Sequence, residues 1–310
     1  MLKLISNAHV YKAELPNAAL VASHLAELPF TPITPSQMSC AGFVPCPVTN
    51  ELVTTFEGGF AFTVRFDEKM LPDSIINSVL KERVADIERT GDCRLKKAER
   101  DALRDLVTFE LCQKALAKKT VVTSFYFAAD RLLIVPVAGK RISGLITSLL
   151  INAIGSVKTE TIHVSEIKHG LTTRLRSVIE GQSDAFEGFK LGDSVNLAMK
   201  GEKITYAIAD FDTAKAGVLE ALNRNFQVER IGLVHGDVDF KLTHDFYFRA
   251  VHFDTEIERD EAEAHDPVFV WRQEASSQVL QFAAVVNELC TLFGYKEPEL
   301  ETDQAEMAAA

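Results

Sequence analysis

Residues 73–119 carry two successive helical patterns, parted by Thr90-Gly91-Asp92 and set between stretches that alternate like strands, and this arrangement leaves the chain few ways to fold. In the first, Ile76, Val79, Leu80, Val84 and Ile87 recur at helical spacing after the opening Leu71-Pro72-Asp73-Ser74. In the second, from Arg94 to Lys119, a helical wheel gathers Lys96, Lys97, Arg100, Arg104, Lys114 and Lys118 on one side. Leu95, Ala98, Ala102, Leu106 and Phe109 gather on the other, the side expected to pack. Helices joined by so short a turn pack antiparallel, so a helical hairpin should project from the strands on either side. Read as one helix at about 1.5 Å per residue, 94–119 would run about 39 Å, the length of about eleven base pairs of duplex. A phosphate backbone fits such a stripe. Glu99, Asp101, Asp105 and Glu110 interrupt it, and mixed charge is also the pattern of an ordinary solvated helix.

The flanking patterns give an α+β chain. Before the hairpin, 9–15 alternates like a strand, 16–28 reads as a helix, 30–47 as a loop rich in Pro, Thr and Ser, and 51–57 with 60–66 as a β-hairpin around Gly58-Gly59. After it, 122–127 and 131–137 form a second β-hairpin, followed by an apolar helix over 142–154, a strand over 160–164 and a helix over 166–180. Beyond the loop that begins at Gly181, strands are expected over 203–209, 227–234, 237–243 and 247–253, with a helix over 213–223. A closing helix spans 276–293, capped by Ser276 or Ser277 and followed by Gly294. The expected division is a central domain over 1–72 and 120–182, a helical tip over 73–119, a base over 183–294 and an acidic, disordered tail over 295–310.

Composition narrows the function. At 310 residues, 47% hydrophobic and 25% charged, the chain is globular, and no apolar run reaches the ~18 residues of a membrane span. The N-terminus lacks a signal-peptide pattern, which predicts a cytoplasmic protein without membrane contact. Cys40, Cys46, Cys93, Cys112 and Cys290 are odd in number and scattered, which indicates neither a disulfide framework nor a structural zinc. A net charge of −11 repels DNA at a distance, so DNA binding requires basic groups lining a groove or hole while the acids face outward. Nucleotide hydrolysis has no visible engine, since phosphate-loop, dinucleotide and nucleophile-elbow motifs are absent. His235, Asp237, Asp239, His244, Asp245, His252, Asp254, His265 and Asp266 form a cluster in sequence that a metal-dependent nuclease could use, although turn chemistry also explains His and Asp at strand ends. Trp271 and the phenylalanines could stack on bases or fill the core.

Asp67-Glu-Lys-Met-Leu-Pro72, the helix after it and Arg94-Leu-Lys-Lys-Ala-Glu-Arg-Asp-Ala-Leu-Arg-Asp-Leu106 resemble the recombination-associated RdgC family of bacteria and their mobile elements. Phe30-Thr-Pro, Gly42-Phe-Val-Pro45 and the last helix ending near Gly294 fit it too. The resemblance covers nearly the whole chain, strongest over 1–137 and weak over 203–260. It implies a central domain with a helical tip and a base, closing head to head into a ring-shaped homodimer that is associated with the nucleoid. Such a ring binds duplex DNA without sequence specificity through a positively charged hole, restrains the RecA recombinase by occupying its DNA, and has no cofactor and no enzymatic activity. The DNA-binding candidates are then Arg94, Lys96, Lys97, Arg100, Arg104, Lys114, Lys118, Lys119, Lys168, Arg174 and Arg176. Two departures stand out. Where the family carries a phenylalanine that locks the tips together, this chain has Leu116, the candidate dimer contact. Where the family's base carries consecutive lysines, this chain has Ile204-Thr-Tyr-Ala-Ile-Ala-Asp-Phe211, which shifts weight onto Lys168, Arg174 and Arg176. A metal-dependent nuclease and an interaction protein that has lost DNA binding are the alternatives.

Overall fold

A computed structural model of the chain describes residues 2–91, 94–155, 159–162, 167–182, 184–199, 201–207, 211–255, 257, 263 and 265–295. The mixed α/β architecture expected from the patterns is present, as two antiparallel sheets. The first holds β1 (His9–Ala13), β2 (Ser39–Val44), β3 (Val53–Phe56), β4 (Gly59–Lys69), β5 (Ala117–Phe127), β6 (Leu132–Val135) and β7 (Thr159–Thr161). Its order is β2-β4-β5-β6-β1-β7, with β3 also paired to β4. The second holds β8 (Lys190–Met199), β9 (Glu202–Ala207), β10 (Gln227–His235), β11 (Val238–Thr243) and β12 (Phe248–Phe253), in the order β12-β11-β10-β8-β9. Both expected hairpins form. Two strands arise where none was expected. β2 lies inside the supposed loop 30–47, held by its register against β4 from Ser39↔Glu68 to Val44↔Thr63, although only Phe43 and Val44 favour a strand by type. β8 is interrupted by a bulge beside Gly192, where an added Cβ would meet the Gly232 backbone at 2.9 Å, and that break hides its alternation.

Strand alternation assigns the two faces of the first sheet. Phe60, Phe62 and Val64 of β4, with Val122 and Tyr126 of β5, share a core with α1 (Ala18–Leu25) and with α4 (Lys140–Ile154). On the opposite face Ala61, Phe125 and Phe127 share a larger core with the last helix and the second sheet. The second sheet is also covered by α5 (Ile167–Ile179) and α6 (Phe211–Asn223), whose Leu171, Leu175, Val218 and Leu222 enter that core.

The last helix, α7 (Pro267–Leu292), is sandwiched between the sheets and is therefore buried on several sides rather than along one stripe. The Trp271 ring lies 6.1 Å from Phe125 of the first sheet, and Phe282 packs edge-on against Phe248 of the second at 4.8 Å. Trp271 is 3% exposed, so it belongs to the core and not to a base-stacking surface. The helix begins earlier than the serines suggested. Asp266 is the cap, its carboxylate accepting from the backbone N–H groups of Val268 and Phe269, with Pro267 following, and Ser276 instead donates to the Glu57 carbonyl. Gln278 ties the N-terminus down: its Oε1 accepts from the Leu4 and Ile5 amides, and its Nε2 donates to the Leu2 carbonyl and the Glu274 carboxylate.

Between β4 and β5, which pair without a break from Gly59↔Phe127 to Lys69↔Ala117, the chain leaves the sheet as α2 (Asp73–Gly91) and α3 (Lys97–Lys114). This is the inserted helical hairpin. Its helical arm is shorter than expected: α3 has 18 residues, about 27 Å at 1.5 Å each, and Lys118 and Lys119 lie on β5. The β-branched run Thr120-Val-Val-Thr123 and the long register with β4 override the helical pattern there. The hairpin is pinned at its root, where the buried Lys69 ammonium donates to the Cys112 carbonyl in the last turn of α3 and the Met70 amide donates to the Leu116 carbonyl.

Candidate nucleic-acid interface

α3 is turned over relative to the wheel. Arg100 donates to Glu88 of α2 at 2.7 Å, Arg104 donates to Asp73 and Asn77 at 3.0 and 3.2 Å, and Arg83 of α2 donates to Glu110. Val107, one turn from Arg104 and two from Arg100, is fully buried on that same side. The side carrying Leu106 and Phe109, which was expected to pack, faces out instead, with these residues 50% and 48% exposed. Leu116 is 74% exposed and Met70, bonded to it through the backbone, 54%. The cause lies in α2, which presents carboxylates to the arginines across a narrow aliphatic seam, so ion pairs and Val107 close the hairpin. Glu88 also accepts from the Leu95 amide, and the Arg100 hydrogen bond is the main reason its carboxyl titrates below the usual range. Glu110 is lowered in the same way by Arg83.

The lysines are placed differently from the arginines. Lys96, Lys97, Lys114, Lys118 and Lys119 are exposed and, among the described residues, none makes a side-chain hydrogen bond or ion pair. At the hairpin tip Lys96 is the N-cap residue of α3, its backbone N–H held by Glu99 at 2.7 Å, and Arg94 lies close enough to Glu88 to lower its carboxyl further. Lys114 sits a turn from Glu110 at the root. Lys118 and Lys119 point to opposite faces of the sheet, Lys118 opposite Glu68 and Lys119 opposite Asp67.

In the lobe formed by the second sheet, Arg174 is a clamp: its guanidinium donates to the carbonyls of Ala185 and Leu292 and lies over the Phe293 ring at 5.3 Å. Arg176 donates to Asn223 at 2.8 Å. Lys168 is on α5, but its side chain lies outside the described residues, as does the tail 296–310.

The histidines and aspartates of 235–266 are dispersed. His235 is bonded to the Gly188 carbonyl, His244 to the Glu229 carbonyl and beside Asp245, and Asp266 caps α7. Asp239 pairs in register with His252 and titrates above its usual range, first because of burial and then because of Asp193. Among the described residues no three His, Cys, Asp or Glu side chains come together as a metal site, and no helix is long and apolar enough to cross a membrane.

One basic residue escaped the sequence reading. Arg65, on β4, forks onto Asp67 at 2.9 and 2.7 Å and stacks over the Phe30 ring at 4.3 Å. Its only signal was its place in an alternating strand, which is shared by many surface arginines.

Comparison with known proteins gives a consistent picture. A family model described as "Putative exonuclease, RdgC" matches residues 4–296. A recombination-associated protein RdgC of Neisseria gonorrhoeae (strain NCCP11945) is 24% identical over 266 residues, covering 85% of this chain and 87% of the relative. Another of that name, from Shewanella loihica, is 24% identical over 306 residues, covering 95% and 99%. A third, from Salmonella paratyphi B, is 28% identical over 177 residues, covering 56% of each chain. The matched region takes in both sheets, the projecting hairpin and α7, and the chain belongs to the RdgC family of recombination-associated proteins.

Proposed function

We propose that the protein acts in DNA recombination as a ring-shaped homodimer that holds duplex DNA without sequence preference and limits the access of the RecA recombinase by occupancy. The observation that carries this reading is the division of the hairpin: arginines and carboxylates are paired inside it, an apolar strip of Leu106, Phe109, Leu116 and Met70 is bare, and lysines stand unpaired at its tip and root. A second copy of the chain would cover the apolar strip, since a two-fold contact sets the same strip on both protomers face to face. The unpaired lysines supply segregated positive charge in a chain of net charge −11, the arrangement that lets an acidic protein hold phosphates. A nucleoid-bound, cytoplasmic location follows from that activity, and no cofactor takes part.

Sedimentation paired with a gel-shift titration tests the reading, using plasmid and single-stranded DNA with and without EDTA. A dimer that shifts unrelated duplexes equally, leaves them uncut in Mg²⁺ or Mn²⁺ and is indifferent to EDTA is expected. Cleavage lost with EDTA, or with Asp237→Ala, would assign the function to a metal-dependent nuclease. A dimer that binds no DNA would assign it to protein interaction alone.

A further inference from the structure

A cavity of about 320 Å³ lies between α4 and the strands β2 and β4, and Phe66 and Arg141 line it. The Arg141 guanidinium lies over the Phe66 ring at 5.4 Å and donates to Glu68 at 2.7 Å, so its plane is fixed in advance, while 68% of the side chain stays exposed. Phe66 itself is 7% exposed and closes the floor. Ser39 and Ser148 add exposed hydroxyls that, among the described residues, are bonded to no other group. Gly144 leaves the cavity open, since an added Cβ there would meet nothing within 4 Å. Two lysines without a described side-chain partner flank it: Lys118, opposite Glu68 on β5, and Lys140, one helical turn before Gly144.

The volume is at the small end for a ligand site, enough for one planar ring system and too little for a helix or a strand. A guanidinium backed by an aromatic ring offers a flat cationic face, free hydroxyls can meet the donors and acceptors of a base edge, and lysines on either side can hold the phosphates before and after it. Stacking joined to backbone charge is how single strands are gripped. Resting on the DNA-binding reading, we infer that this cavity receives one unpaired nucleobase of a single strand, stacked on the Arg141–Phe66 pair, with Lys118 and Lys140 on the flanking phosphates. A base inside a duplex is held by its stack and its pair, so the site distinguishes exposed single strand, at a gap or an end, from intact duplex.

Gly144→Leu fills the cavity without altering any charge, and it replaces a weak helix former by a strong one, so the melting temperature should not fall. Binding of oligo(dT), of an abasic strand of equal length and of a duplex is titrated for the wild type, Gly144→Leu and Arg141→Lys, the last keeping the charge but losing the planar face. The wild type should prefer oligo(dT) to the abasic strand. Gly144→Leu should weaken oligo(dT) binding roughly tenfold, the loss of one stacked base, and Arg141→Lys should act in the same direction more weakly. Duplex binding should be unchanged in both. Lys118→Ala with Lys140→Ala should flatten the salt slope on oligo(dT) by about 1.4, two contacts at about 0.7 each. Equal affinity of the wild type for oligo(dT) and the abasic strand, unchanged oligo(dT) binding by Gly144→Leu, or an equal loss on duplex would overturn the inference while leaving the duplex-binding reading standing. A wild type that binds oligo(dT) as expected but no duplex would overturn the duplex reading alone, and one that binds no DNA would overturn both.

Discussion

Phe109→Ala isolates the bare face of α3. A fully buried phenylalanine contributes about 1.5–3 kcal/mol, so the 48% of Phe109 left exposed is worth about 1 kcal/mol if a second copy covers it. A two-fold contact loses the ring from both protomers, so the dimer should weaken by about 2 kcal/mol, roughly thirtyfold in Kd. Alanine is the better helix former, which leaves α3 itself intact, and the protomer's melting temperature should barely move. Sedimentation equilibrium over a concentration series reads the dissociation constant, with thermal melting as the control. Leu116→Asp should act in the same direction and more strongly, because it sets an unpaired charge against an apolar partner. If Phe109→Ala lowers the melting temperature and leaves the dimer constant unchanged, the ring packs within its own protomer and the reasoning fails. A wild type that is monomeric at micromolar concentration with DNA binding intact would refute the ring altogether.

Lys96→Ala with Lys97→Ala should flatten the salt slope of duplex binding by up to about 1.8 units, whereas Arg100→Ala should leave the slope nearly unchanged because that side chain is held by Glu88; equal flattening by Arg100→Ala would show that the pair opens for phosphate. His9 is buried and stacked on Tyr247 at 4.8 Å, and burial holds its imidazole below the ordinary 6.5. The unfolded chain therefore takes up the proton first as pH falls, so stability is level above 6.5 and declines below it until the folded group also titrates. His9→Gln should reduce that decline in urea melts between about pH 5 and 8, and an unaltered profile would contradict the assignment. Phe282→Ala, at a side chain with 0% exposure in the seam between the sheets, should cost about 3–5 kcal/mol of unfolding free energy measured by urea melts; a loss under about 1 kcal/mol would mean that the seam repacks around the gap.

Much of the fold could be read from local pattern. The two β-hairpins, the helical hairpin and α4 through α6 follow from periodicity and turn residues, because each is decided by neighbours in sequence. The misreadings of β2, β8 and the facing of α3 share one cause, a distant partner. β2 is a strand because β4 lies beside it, and β8 because β10 does, across a bulge that breaks its alternation. α7 is legible as a helix, but it starts at a local signal, the Asp266 cap followed by Pro267, nine residues before the serines that also suit a cap. In the hairpin the wheel placed Arg100 and Arg104 opposite Leu106 and Phe109, but it ran on into β5 at Lys118, and which face of α3 turns inward was set by Glu88, Asn77 and Asp73 on α2. Arg65 was invisible for the same reason: its fork and its stacking partner come from sheet geometry and from a residue 35 positions earlier in the chain.

The different placement of arginine and lysine bears on sequence preference. Arg83, Arg100 and Arg104 are bonded across the hairpin, Arg141 to Glu68, Arg272 to Glu51 and Arg174 to two carbonyls, so their planar forks are engaged within the protein. A free guanidinium fork is the group best shaped to read a guanine edge in the major groove, and the hairpin keeps those of Arg83, Arg100 and Arg104 bonded inward, while Arg89 pairs with Asp86 along α2 and Arg94 is exposed at the tip. The exposed cations at its tip and root are mostly lysines, compact charges on flexible stems that follow phosphate without demanding a fixed geometry. If these lysines hold the duplex, binding should be salt-dependent and indifferent to sequence, two properties with a single origin. Freeing an arginine breaks that link. Glu88→Gln would release Arg100 near Lys96 and Lys97, and the expected change is tighter binding with a steeper salt slope. Competition between G-rich and A/T-rich duplexes would then show whether a released fork brings sequence preference with it. Unchanged binding would mean that Arg100 stays directed at α2 even without its ionic partner, and that the tip meets DNA through its lysines alone.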